Sequence, residues 1–132
     1  MFKFGKRSRK TLATCDQRLQ NILNEVIKHV DCSVLEGHRD QKRQDKLFKE
    51  GKTLVKFPNG RHNAYPSRAV DVVPYPIDWN DRERFTLFAG FVKGIAKGMY
   101  NIELRWGGDW DNDWEVQDNR FDDFPHFELR ED

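Results

Sequence analysis

Long apolar runs are missing from this sequence. Charges interrupt every hydrophobic stretch after a few residues, well short of the roughly 18–20 consecutive apolar residues that a membrane-spanning helix needs. Cysteine is scarce: Cys15 and Cys32 form neither a CxxC pair nor a Cys/His zinc-knuckle spacing. Two reduced, partly buried thiols in a protein made in the cytoplasm are therefore expected, not a disulfide framework. An excess of one charge is also missing, with 23 Lys and Arg against 22 Asp and Glu, so nothing general points to nucleic acid. No apolar segment follows the basic start MFKFGKRSRK, which excludes a secretory signal there. Repeats, low-complexity tracts and Ser/Gly linkers are absent, so a single domain over residues 1–132 is expected. What the chain does have is ten Phe, four Trp and three Tyr, large units from which a core can be built.

The clearest periodic signal is Leu19, Ile22, Leu23, Val26, Ile27 and Val30, one face of an amphipathic helix over about 16–30 with Thr14 or Asp16 as N-cap. Residues 32–36 then suit a short strand that delivers Gly37, His38 and Arg39. Residues 40–50 read as a charged helix ended by Gly51. Pro58, Asn59, Gly60 and Pro66 make 52–68 a loop, and the β-branched run 69–73 is a strand stopped by Pro74 and Pro76. A helix starting near Asn80 or Asp81 carries Phe85, Phe88, Ala89, Val92, Ile95, Ala96 and Met99 on one face. Strands are expected at 102–106, broken by Gly107 and Gly108, and at 124–129. The order predicts an α+β fold, a small and mostly antiparallel sheet with flanking helices.

Three residues point to metal chemistry: His62 in a loop, Asp71 inside an apolar strand, and His126 in the last strand. A carboxylate flanked by Val70 and Val72 is carried towards the interior, where an ion needs a cation or several donors. Two His and one carboxylate, with a fourth position left for water, is a catalytic zinc pattern. The alternative for Asp71 is a solvent-facing position on an alternating strand. No HExxH helix is present, which excludes a thermolysin-like arrangement.

The segment GRHNAYPSRAVDVVP (60–74), together with DDFPHFEL (122–129), resembles the zinc signature of the D-Ala-D-Ala metallopeptidase family. It is most similar to the L-alanyl-D-glutamate endopeptidases that tailed phages use as endolysins. FKFGKRSRKTLAT near the start, GHRD (37–40) and RWGGDW (105–110) occur in the matching order. The resemblance implies a Hedgehog/D,D-peptidase-like fold, Zn²⁺ held by His62, Asp71 and His126, and an acidic general base three residues before the last ligand. That base is Asp123, with the adjacent Asp122 as the alternative. It also implies that Arg39 stabilises the oxyanion or holds a substrate carboxylate. Two departures stand out: Asp71 follows His62 by nine positions where the family usually has seven, and Gly60 replaces a Ser. A two-residue insertion containing Pro66 accommodates the first. His29 and His38 match no ligand position.

Asp109, Trp106, Trp110 and Trp114 resemble a cleft wall in that family, or else close a small core around a turn made by Asp109. Lys3, Lys6, Arg7, Arg9 and Lys10 read as a solvated terminal segment or as an attractor for anionic lipopolysaccharide or phosphate surfaces. The leading expectation is thus a monomeric zinc peptidase that cuts the L-Ala–D-Glu bond of peptidoglycan stem peptides and causes host lysis. It is expected to accumulate in the host cytoplasm and to reach the wall once a holin opens the membrane. The alternatives are a D-Ala-D-Ala carboxypeptidase or dipeptidase of the same family, a non-catalytic zinc-containing wall-binding module, and a phosphate or nucleic-acid binder using the basic start.

Overall fold

A computed structural model describes residues 1–116 and 123–130. Four helices flank a four-stranded sheet: α1 (Lys6–Leu12), α2 (Gln17–Val26), β1 (Cys32–Glu36), α3 (Gln41–Lys49), β2 (Ala69–Pro74), α4 (Arg82–Tyr100), β3 (Leu104–Gly107) and β4 (Asp123–Leu129). The sheet order is β1-β2-β4-β3 and every neighbouring pair is antiparallel, as the α+β reading expects.

Three helix starts are set by aspartates. Asp16, Asp40 and Asp81 accept from the backbone N–H of Arg18, Arg43 and Arg84, satisfying donors that the first turn leaves unpaired. The apolar face of α4 packs on the sheet, and that of α2 packs against α4. Leu19, Ile22, Leu23 and Val26 join Phe85, Phe88, Ala89 and Val92 in one core with Val70, Val72, Phe127 and Leu129. Gly51 ends α3 at φ +74°, a conformation glycine adopts without a Cβ clash.

Some boundaries differ from the expected ones. The helix expected to run to residue 30 stops at Val26, although Ile27 remains buried. Met99, expected on the apolar face, is 55% exposed, whereas Tyr100 beside it packs against the core. Gly107 does not break β3 but completes it, because a Cβ there would fall on the Asp123 carbonyl across the strand pair.

The basic start is not a solvated segment. Residues 6–12 form α1, and Phe4 just before it is buried together with Ser8 and Leu12, while Lys3, Lys6, Arg7 and Lys10 remain exposed. Ser8 Oγ accepts from the Val34 N–H at 3.0 Å, so α1 covers the free edge of β1 and satisfies a donor that would otherwise face solvent.

Candidate active site

Strand register brings the key side chains together. Asp71 of β2 lies directly opposite His126 of β4, and Arg105 of β3 lies opposite Glu128. Successive strand residues point to opposite faces, so Asp71, His126, Glu128 and Arg105 share one face while Val70, Val72 and Phe127 take the core face. His62 arrives from a 3-10 turn, Arg61–Asn63, just before β2. Asp71 and His126 are buried at 8% and 7% exposure, so the solvent-facing alternative for Asp71 does not hold.

His62, Asp71 and His126 form a group that could hold a metal ion. His62 Nε2 is 3.2 Å from Asp71 Oδ1 and 3.2 Å from His126 Nδ1, and His126 Nδ1 is 3.4 Å from Asp71 Oδ1. A tetrahedral ion with bonds of about 2.0–2.1 Å has ligand atoms about 3.3–3.4 Å apart, and the three separations match that edge. The far nitrogens fix the ring orientations: His62 Nδ1–H donates to the Gly37 carbonyl at 2.7 Å and His126 Nε2–H donates to Glu128 Oε1 at 2.8 Å. With both outer nitrogens protonated, the inner ones and Asp71 Oδ1 present three lone pairs to one point. Such an arrangement needs a cation or a proton at its centre.

Electrostatics agree with this geometry. Burial alone raises a carboxyl pKa, but the two His rings outweigh it and hold Asp71 well below the usual carboxylate range. Burial disfavours the charged form of His126, yet hydrogen bonds to Asp71 and Glu128 push its pKa up to about 9 without a metal. Glu128 is brought down to about 2, its own burial overcome by His126 and Arg105. Asp123 behaves oppositely: burial, then the charge of Asp71, raises its carboxyl above the ordinary value. Its Oδ2 is 3.9 Å from His126 Nδ1, beside the converging ligands. Asp122 lies outside the described residues.

Arg39 Nε donates to Glu36 Oε1 at 2.8 Å, while its Nη1 and Nη2 reach Gln44 Oε1 at 3.4 Å and Asp71 Oδ2 at 3.3 Å. The ion pair with Glu36 is thus present alongside a place at the cleft. Trp110 stands 5.3 Å from the His126 ring and walls the cleft, whereas Trp106 is core and Trp114 is 65% exposed, covering the Lys93 ammonium. Asp109 is used by its own turn, accepting from the Asp113 and Trp114 N–H groups. His29 and His38 lie apart from the group.

Several residues of this site carried no role in the sequence reading. Glu128, which orients His126, was legible in principle, since His-x-Glu on a strand places both side chains on one face. Buried Gln44 donates to the Val55 carbonyl and accepts from Asn63 Nδ2, tying the loop over 52–60 to the His62 turn. A Cβ on Gly60 would meet Asn63 Oδ1 at 2.7 Å, so the residue replacing the family's Ser is one that leaves room for this network. A cleft of about 560 Å³ opens onto the site, lined among others by Arg39, Leu54, Arg61, Arg105, Asp123 and His126.

Known proteins resemble this chain in sequence and in fold. The chain is 30% identical over 122 residues to the L-alanyl-D-glutamate peptidase of Escherichia phage T5, covering 89% of this chain and 88% of that protein. It is 28% identical over 116 residues to the peptidoglycan L-alanyl-D-glutamate endopeptidase CwlK of Bacillus subtilis, spanning 77% of this chain and 62% of the relative. The crystal structure of the Serratia marcescens L-Ala D-Glu endopeptidase ChiX superposes with a TM-score of 0.74 at 26% identity, covering 97% of this chain and 90% of that one. Residues 1–130 match the family model described as phage L-alanyl-D-glutamate peptidase, and the chain belongs to that family.

Proposed function

We propose that the protein is a zinc-dependent endolysin that hydrolyses the L-Ala–D-Glu bond of peptidoglycan stem peptides. The observation that carries this reading is the set of three lone pairs on His62, Asp71 and His126, spaced as the edges of a tetrahedron and held from behind by Gly37 and Glu128. Two His and one Asp suit Zn²⁺, which supplies Lewis acidity for the carbonyl and makes water nucleophilic near neutral pH.

The chain's own groups divide the remaining work. Asp123, beside the ligands and with a raised pKa, takes a proton from the attacking water and returns it to the leaving amine at its carboxylate. Arg39 stabilises the negative charge developing on the carbonyl oxygen, positioned by Glu36 and Gln44. Trp110 closes one wall and limits water around the reacting bond.

No helix among the described residues is long and apolar enough to cross a membrane. A monomer made in the host cytoplasm and admitted to the wall by a holin is consistent with that. The test is mass spectrometry of murein fragments after incubation with the protein, with and without a zinc chelator. Chelator-sensitive peptides beginning at D-Glu are expected. Loss of terminal D-Ala instead would assign a carboxypeptidase, and no cleavage by the zinc-loaded protein would leave a binding module.

A further inference from the structure

Besides Arg39, the cleft is lined by two further guanidinium groups, Arg61 and Arg105. Arg105 Nη2 and Arg61 Nε both approach Glu128 Oε2, at 2.8 and 3.4 Å, while Glu128 Oε1 is taken by His126. One carboxylate therefore faces two arginines, leaving a positive charge in surplus there. The two arginines are engaged differently. Arg105 spends Nε and Nη2 on Glu128 and turns Nη1 to the Trp110 carbonyl. Arg61 reaches Glu128 through Nε alone, and its two terminal nitrogens have no partner among the described residues. Its side chain is 33% exposed and lines the cleft next to His62.

Resting on the endopeptidase reading, the substrate has an anion to match. In a stem peptide D-Glu is joined onward through its γ-carboxyl, so its α-carboxylate is free and sits on the carbon that bears the scissile nitrogen. Asp111 and Asp123 also line the cleft, so a carboxylate entering it needs a cation with donors to spare. Arg39 already pairs with two carboxylates, Glu36 and Asp71, which offset its charge and leave one N–H on each terminal nitrogen for the carbonyl oxygen. We propose that Arg61 is a specificity-determining residue whose two free terminal nitrogens pair with the α-carboxylate of D-Glu. Arg105 is a positioning residue that acts through Glu128. A planar guanidinium matches a carboxylate in two parallel hydrogen bonds, which a carboxamide cannot accept in the same way.

The experiment compares two disaccharide-tripeptides that differ only in carrying D-Glu or its α-amide, D-isoglutamine. For the zinc-loaded wild-type protein, kcat/KM should favour the acid by at least about tenfold, the worth of one lost charge-assisted pairing. Arg61→Gln should reduce that preference to within about threefold, chiefly through KM, and Arg61→Lys, which keeps the charge but loses the planar fork, should retain only part of it. Arg105→Gln should slow both substrates in the same proportion. A wild-type preference near unity overturns the proposal whether or not any variant folds, as does an Arg61→Gln variant that lowers both substrates in parallel. A zinc-loaded wild-type protein that cuts neither substrate overturns the peptidase reading along with it.

Discussion

The two faces of the sheet differ in what each can tolerate losing. On the core face Val70, Val72, Phe127 and Leu129 are held by shape and exclusion of water alone. On the cleft face Asp71, His126 and Glu128 are almost as buried, but each is held by partners: Asp71 by His62 and Arg39, His126 by Asp71 and Glu128, Glu128 by Arg105 and His126. Taking a charge out of water costs several kcal/mol, so the cleft face is stable only as a connected set. Adjacent residues of β4 thus serve opposite ends, and the comparison predicts that they fail differently.

The sharpest break is His126→Ala, which should remove both zinc stoichiometry, read by metal analysis, and turnover of murein. Asp123→Asn should lower kcat by about 10²–10⁴-fold with zinc content nearly unchanged, because in the proposed mechanism this carboxyl moves the proton and does not hold the metal. Full activity in that variant would remove Asp123 from the base's role. One position further along β4 from His126, Phe127→Ala should cost about 3–5 kcal/mol of stability in urea unfolding while the protein that remains folded still binds zinc. Glu128→Gln should weaken zinc about 10–100-fold in competition with a chelator, since it unfastens His126 without removing a ligand.

The smallest effect is a pH dependence. His126 without metal has a pKa near 9, above its ordinary value of about 6.5. Its protonated form therefore stabilises the metal-free fold fully below pH 6.5, and that contribution is lost as pH rises through about 9. The Tm of the metal-free protein should fall across this window, while the zinc-loaded protein, whose cation replaces the proton, should not show that fall. For the same reason zinc affinity should rise with pH, because the ligand must shed its proton first.

Elements with strong periodicity were legible before any coordinates: α2, α4, β1 and β2 lie where alternation and helical spacing put them. The grouping of His62, Asp71 and His126 was legible chiefly because the flanking segments resemble a known family, with an Asp between valines as the supporting signal. Their convergence to 3.2–3.4 Å is a property of register, which one strand's sequence does not encode. The α1 helix was obscured because its buried residues are few and basic side chains dominate its composition. Gln44 was hidden for a different reason: a buried amide that ties two loops leaves no periodic trace.

The position of β4 bears on when the protein can first act. It is the last strand in chain order, yet it inserts between β2 and β3 in the middle of the sheet. During synthesis, a chain lacking it would hold only His62 and Asp71 and would leave β2 and β3 unjoined. Assembly of the His62, Asp71 and His126 group is thus coupled to the slowest kind of contact, one between residues far apart in sequence. Metal uptake at this group would report that β4 has joined the sheet, and a chain without β4 would lack both His126 and Asp123.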